Sequence, residues 1–445
     1  MNKRFLNFII TFILIFSIFS SLFSVSAFQI SGFELNAQGA MLVSLDTGEV
    51  LYSKNAEQKM YPASITKLLV AAIVLDNTND LDSEKIIMTK AALREISGTG
   101  ASVIGLLEGE ELTVRQALHC LLISSGGDIA YAIAEHFGGN TEGFMDLMNK
   151  KCAEIGMTNS SFGNPVGLHD DNTYTTPSDV VKLSRYALKY KEIIEITSLP
   201  RYTLPATNMS KQRILSTTNF LIDPATNYYY KYAKGLKTGF TDEAGRCVVS
   251  TASYNGYNYL CVIMGCNSKG GNRNEFLDSR NLYRWAFNNF EFKSVLDIQK
   301  PVAEIPVQLS LDTDFIQLYP ENSITSILPI KADESTINID ATILYEKVDA
   351  PVTPGTVLGT ADVLYAGEVI GTVNLISHDT VKANLFLQIG RVAKNIFGST
   401  AFKIIGVLII IGILVFIGIC IHLNLSNKKR RKVKYIPYNK DVKKR

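Results

Sequence analysis

The chain has 445 residues, 44 Lys and Arg against 42 Asp and Glu for a formal charge of +2, and 47% apolar residues. That length holds at least two ordinary domains, and the apolar content is too high for a disordered chain. The charge is unevenly placed: Lys3 and Arg4 open the chain and a tail with ten basic residues and one acidic closes it, so residues 28–402 carry about −10, which argues against nucleic acid or anionic lipid as the ligand of the main body.

In chain order, residues 1–27 place Lys3 and Arg4 before a long apolar stretch ending in small residues, the pattern of an export signal cleaved after Ala27. An uncleaved anchor is the other reading, because the apolar stretch is long. "AMLVSLDTGEVLYSKN" reads as two strands joined at Asp46-Thr47-Gly48, and "PASITKLLVAAIVLD" as a helix. Helical periodicity then continues to about residue 190, broken at "SSGG", where Gly126 and Gly127 predict a turn that exposes Ser124 or Ser125. "GLKTGF", "RCVVSTAS" and "YNYLCVIMGC" are strand-like, and "RNEFLDSRNLYRWAFNNF" returns to helix. Residues 28–292 therefore predict an α+β domain whose antiparallel sheet is assembled from both ends around a helical region.

After residue 292 the pattern turns to alternating apolar residues and short turns, which predicts a small all-β, sandwich-like domain over 293–382. Residues 383–402 form a juxtamembrane stalk, either an amphipathic helix or a partly ordered segment. Within 403–424, Ile404 to Leu423 are free of charge and long enough to cross a bilayer as a C-terminal transmembrane helix. The basic segment 425–445 then lies in the cytoplasm by the positive-inside rule. The expected location is the plasma membrane, single-pass, with the main body extracytoplasmic. The six cysteines have no zinc-site spacing, and of these Cys247 with Cys261 is the pair worth testing for a disulfide.

Ser64 and Lys67 are three apart at a helix start, so the two side chains share a face. A serine hydroxyl is a weak nucleophile, and an adjacent amine with a lowered pKa can take its proton. The pattern is weak alone, since a helix cap followed by a solvated lysine has the same spacing. Lys237-Thr238-Gly239 on a strand offers an ammonium and a hydroxyl to a carboxylate, beside a glycine that lets another group pack close. With Ser125 between the two motifs, the three form an ordered set.

That set, Ser-x-x-Lys, then a second serine, then Lys-Thr-Gly, resembles the low-molecular-mass penicillin-binding proteins, the serine D-alanyl-D-alanine carboxypeptidases. The resemblance extends through "LEGEELTVRQALHCLLISSGGD", "MNKKCAEIGMTNSSFGNPVGL", "KGLKTGFTDEAGRCVVSTA" and "DAPVTPGTVLGTADVLYAGEVIGTVNLI". It implies a penicillin-binding-protein/β-lactamase-like fold and removal of the terminal D-alanine from peptidoglycan stem pentapeptides, with β-lactam antibiotics as covalent inhibitors and no cofactor or metal. It makes Ser64 the nucleophile, Lys67 its base and Ser125 the proton relay. Lys237 and Thr238 would hold the substrate carboxylate with Gly239 beside them, the N–H groups of Ser64 and Phe240 would form the oxyanion hole, and Arg273 would assist with the carboxylate.

One position departs from the family: the second motif usually reads Ser-x-Asn-Asp and here reads Ser125-Gly126-Gly127-Asp128. Restoring the amide by Gly127→Asn is expected to raise peptide turnover more than it changes penicillin acylation. A β-lactamase would need a Glu-x-x-Leu-Asn loop after the second motif, which is not found, and a transpeptidase an acceptor-binding region and usually a larger upstream module. The alternative from another class is a catalytically impaired wall-binding protein on the same fold.

Overall fold

The computed structural model describes residues 34–268 and 271–431. The expected export signal and the tail from residue 432 lie outside them. The chain divides into two compact units. The first extends to Lys293 and also takes in Thr325–Glu334, and the second comprises Ser294–Ile324 and the chain from Ser335 onward.

The first unit is built on a sheet of five strands, β1 (Gly39–Ser44), β2 (Val50–Lys54), β3 (Ala233–Thr241), β4 (Gly245–Tyr254) and β5 (Tyr257–Cys266). Their order is β2-β1-β5-β4-β3, with every neighbour antiparallel. The N-terminal hairpin thus docks on the last strand of the C-terminal meander, so both ends build the sheet. Side chains alternate between two cores: Met41, Val43, Val249 and Val262 face one, Ala40, Leu42, Val248 and Ile263 the other. A sheet buried on both faces needs near-continuous apolar strands, which is how these segments read.

Seven helices follow the hairpin: α1 (Thr66–Asn77), α2 (Lys90–Ile96), α3 (Val114–Leu122), α4 (Gly127–Gly138), α5 (Thr141–Glu154), α6 (Pro177–Ala187) and α7 (Lys191–Thr197). Thr66 to Val74 of α1 are all buried, which explains a segment apolar on every side. The opposite sheet face is covered by α8 (Asn274–Asn289) through Phe276, Leu282, Tyr283 and Ala286. The helical region is less continuous than its periodicity predicts. Gly98, Gly100, Gly105 and Gly109 all have positive φ, and they turn the chain between α2 and α3 into a strap.

Cys247 and Cys261 do not pair. They belong to the two opposite cores of the sheet, and all six cysteines are free thiols.

The second unit is all-β, with strands β6 (Ala303–Gln308), β7 (Phe315–Pro320), β8 (Ile337–Ile343), β9 (Val348–Asp349), β10 (Val357–Tyr365) and β11 (Glu368–Ser377). They run in a single order, β8-β10-β11-β7-β6-β9, rather than as two separate sheets of a sandwich. Two helices close the described chain, α9 (Leu385–Gly398) and α10 (Thr400–Arg431). Thr400–Ser426, whose most apolar 18-residue window has a mean hydropathy of 3.4, is the one helix among the described residues long and apolar enough to cross a membrane.

Candidate active site

Ser64 sits in a 3-10 turn, Ala63–Ile65, that leads into α1. Ala63 holds φ +45°, a conformation that L-residues rarely adopt. Two glycines make room for the turn. A Cβ on Gly167, itself at φ +77°, would lie 1.8 Å from the Ala63 carbonyl oxygen, and a Cβ on Gly239 would lie 2.9 Å from the Pro62 carbonyl oxygen and 3.1 Å from Ser64 N. The Lys-Thr-Gly strand therefore reaches the serine only because its third residue has no side chain.

Lys67 follows one helical turn later. Its buried Nζ donates to Ser64 Oγ at 2.9 Å, to Ser125 Oγ at 3.4 Å and to the Val166 carbonyl at 3.3 Å. Burial pulls the amine pKa down to about 7, against a smaller upward push from Asp128. Near neutral pH much of the lysine is therefore a free base with a hydroxyl in reach. Asn164 places the third partner: its Oδ1 accepts the N–H groups of Val166 at 3.3 Å, Gly167 at 2.8 Å and Leu168 at 2.9 Å.

Of the two serines in the α3–α4 turn, Ser125 faces the cleft, whereas Ser124 Oγ donates to the Ser216 carbonyl. The positive φ of this turn, +60°, falls on Ser125, and Gly126 has an ordinary φ of −57°. The two glycines are required instead for close packing. A Cβ on Gly126 would come within 2.7 Å of Ile104 Cγ1, and one on Gly127 within 2.8 Å of Ile96 Cδ1 and 3.0 Å of the Ser102 carbonyl oxygen. The strap is bound to α4 at this point: Gly127 N donates to Ser102 O at 2.6 Å. The buried Asp128 carboxylate accepts the N–H groups of Ile104, Gly105 and Leu106 at 2.9–3.1 Å. The space beside Gly127 is thus taken up by the strap, which sets a packing cost against the gain in peptide turnover expected of Gly127→Asn.

β3 is the edge strand of the sheet, so half of its backbone polar groups are free of β4. Lys237 is buried, with Nζ donating to the Thr238 carbonyl at 3.0 Å. Burial, then the nearby Lys67 charge, drives its pKa well below the ordinary lysine value. Thr238 Oγ1 is 2.5 Å from Thr218 Oγ1. Phe240 is exposed beside them, with the Arg246 guanidinium 4.9 Å from its ring centroid. Arg273 also reaches the cleft: its Nε donates to the buried Glu275 at 2.6 Å, and its guanidinium lies over Phe220 at 4.5 Å.

Ser64, Lys67, Ser125, Thr238, Gly239, Phe240 and Arg273 all line one cleft of about 830 Å³, with Lys237 buried beneath it. Sequence reasoning missed Thr218, the Val166 carbonyl and the strap residues Thr99 to Ser102, which also line it or contact its groups. "FGNPVGL" was visible as a family segment, but a backbone carbonyl's role has no side-chain signature. Asp128 was visible as a motif residue, without its partners.

The family model for D-alanyl-D-alanine carboxypeptidase matches residues 25–268, and that for the penicillin-binding protein 5 C-terminal domain matches 290–383. The D-alanyl-D-alanine carboxypeptidase DacF of Bacillus subtilis is 31% identical over 79% of this chain and 87% of its own length. Penicillin-binding protein 5 from Haemophilus influenzae superposes with a TM-score of 0.62, covering 80% of this chain and 100% of that one at 24% identity, a likeness of fold. The Streptomyces K15 DD-transpeptidase covers 58% of this chain and 100% of its own, at 27% identity and a TM-score of 0.54. The chain therefore belongs to the D-alanyl-D-alanine carboxypeptidase family and is a serine hydrolase with a penicillin-binding-protein-5-type all-β domain at its C-terminal side.

Proposed function

We propose that this protein removes the terminal D-alanine from peptidoglycan pentapeptide stems through an acyl-enzyme on Ser64. The observation that carries the reading is the buried Lys67 amine, poised near neutrality, within 2.9 Å of one hydroxyl and 3.4 Å of another. Neutral Lys67 takes the Ser64 proton as Oγ bonds to the carbonyl carbon before the last residue. The oxyanion rests between the N–H groups of Ser64 and Phe240, donors of a kind whose single loss costs about 3 kcal/mol. The C–N bond then breaks, and Lys67 returns the proton through Ser125 to the leaving D-alanine nitrogen. Water attacks the ester, Lys67 accepts its proton, and Ser64 Oγ recovers one as the acid departs.

The substrate carboxylate has a second function in this account. Two buried lysines disfavour each other's charge, so an anion at Thr238 and Arg273 draws a proton to Lys237 and leaves Lys67 as the base. Gly239 keeps the strand close enough for both roles. β-Lactams enter as acylating analogues of the same peptide bond.

The Streptomyces K15 neighbour bears a transpeptidase name on a domain of this size, so the overall fold does not select between water and an amine as acceptor. The relatives named carboxypeptidases support water. The impaired wall-binding reading has no support, because every group that the chemistry needs lines or underlies one cleft.

For the whole chain, the proposal keeps 1–27 as an export signal, 28–292 as the catalytic domain, 293–382 as a spacer domain, 383–402 as the stalk and 403–424 as the membrane span. The tail from 425 is placed in the cytoplasm on its charge, leaving the cleft outside the plasma membrane. The test is D-alanine release from a stem pentapeptide by the full-length protein in detergent. Release by wild type and none by Ser64→Ala is expected, and no release at high enzyme concentration overturns the proposal.

A further inference from the structure

A second cleft, of about 520 Å³, opens on the first unit where the chain enters β3, a size within the range of ligand sites. Its walls include Tyr229, Tyr232, Tyr254, Phe287, Lys231 and Arg284, and no aliphatic side chain. Three of the rings form one cluster: Tyr232 and Tyr254 centroids are 4.3 Å apart, and Tyr254 meets Phe287 edge-on at 5.6 Å. Tyr229 and Tyr254 remain 41% and 38% exposed, large for aromatic side chains of a folded domain. Lys231 Nζ lies 4.7 Å from the Tyr232 ring centroid, so the groove is positive within an acidic ectodomain.

The groove is coupled to the catalytic cleft by the chain itself. Tyr228, next to Tyr229, stacks on Phe220, and its hydroxyl accepts the Arg273 N–H at 3.2 Å; Phe220 and Arg273 both line the catalytic cleft. Tyr232 directly precedes β3, and Thr238 lies six residues further along it, so at about 3.3 Å per residue the two are at most about 20 Å apart.

We propose that this groove is a glycan subsite that binds the amino-sugar backbone to which the stem peptides are attached. The proposal rests on the carboxypeptidase reading for its substrate. A helix or hydrophobic peptide would need aliphatic walls, which the groove lacks. A sugar ring presents an apolar C–H face that stacks on the electron-rich face of tyrosine, and hydroxyl and acetamido groups that pair with phenol, amide and ammonium groups at the rim. The two cations suit a polymer bearing acidic peptides. A peptide cut while attached to its strand would thus be held at two points on one strand edge.

The test compares full-length wild type with Tyr229→Ala and Lys231→Glu, both exposed positions, on two substrates: free pentapeptide, and uncrosslinked glycan strands carrying the same pentapeptide. The variants are expected to raise KM for the strand by about tenfold, the loss of one anchoring contact, with kcat and all free-peptide kinetics unchanged. Equal kinetics of variants and wild type on strands, or parallel losses on both substrates, overturn the proposal. A calorimetric titration with peptide-free N-acetylglucosamine oligomers separates the two readings: binding by wild type and none by the variants supports the subsite even if no D-alanine is released, and no binding by wild type counts against it.

Discussion

A Cβ at Gly127 has Ile96, Ala101 and the Ser102 carbonyl within 3.4 Å, whereas the motif alone suggested an empty place for an amide. Gly127→Asn is therefore expected to destabilise the fold by about 1–3 kcal/mol, the range for overpacking a filled site, and to lower peptide turnover. Denaturant unfolding together with kcat on pentapeptide checks this, and a stable, faster variant would restore the simpler view. Gly239→Ala presses on Pro62, Ala63 and Ser64, so penicillin acylation should fall about a hundredfold, the cost of a nucleophile displaced by an ångström; stopped-flow acylation reads it. The side chains that line the cleft were legible in the sequence only as an ordered set of motifs with a family resemblance, since Ser-x-x-Lys alone has the spacing of a helix cap and a solvated lysine. Gly127's neighbours were not legible, since they come from a strap 25 residues upstream whose path is set by glycine dihedrals.

The strap between α2 and α3 is clamped to α4 by the Asp128 carboxylate as well as by the Gly127 N–H. Asp128 accepts three strap N–H groups, and Asp128→Ala removes that partner from all three, including the buried Leu106 N–H, a loss of about 1–3 kcal/mol. Limited proteolysis should then cut the strap between residues 97 and 106 before any other site, and unchanged digestion would contradict its clamping role. The same carboxylate raises the Lys67 pKa against the larger effect of burial. If the free Lys67 amine is the base, as the proposed mechanism has it, acylation should increase as pH rises through about 7 and level off above it. Asp128→Asn removes the upward push, and its acid limb should move to lower pH in a pH profile of penicillin acylation. The elements themselves were legible wherever burial or glycine sets the pattern: the apolar strands, α1 with its buried run from Thr66 to Val74, and the turn at Ser125. The break-up of the helical region was legible only as glycines, because helical periodicity does not report which of them adopt positive φ.

At the scale of the molecule, Thr400–Ser426 is 27 residues long, about 40 Å as a helix and more than a bilayer core of about 30 Å requires. A chain ending at residue 383 should stay soluble after cell lysis and retain its rate on free pentapeptide, whereas the full chain should sediment with membranes. Fractionation and D-alanine release check both halves. The order of domains was legible because a change of period from 3.6 to 2 marks the β unit and an uncharged run marks α10. The return of Thr325–Glu334 to the first unit was hidden, since ten residues of ordinary composition carry no sign of where they pack. Assembly of Ser64, Lys67, Ser125 and the β3 edge into one reacting centre is the claim on which the rest depends. Intact-mass and peptide-mapping analysis of full-length protein treated with a penicillin tests it most directly. The expected result is one adduct, on the peptide containing Ser64, absent from Ser64→Ala; an adduct on another residue, or equal labelling of Ser64→Ala, would contradict it.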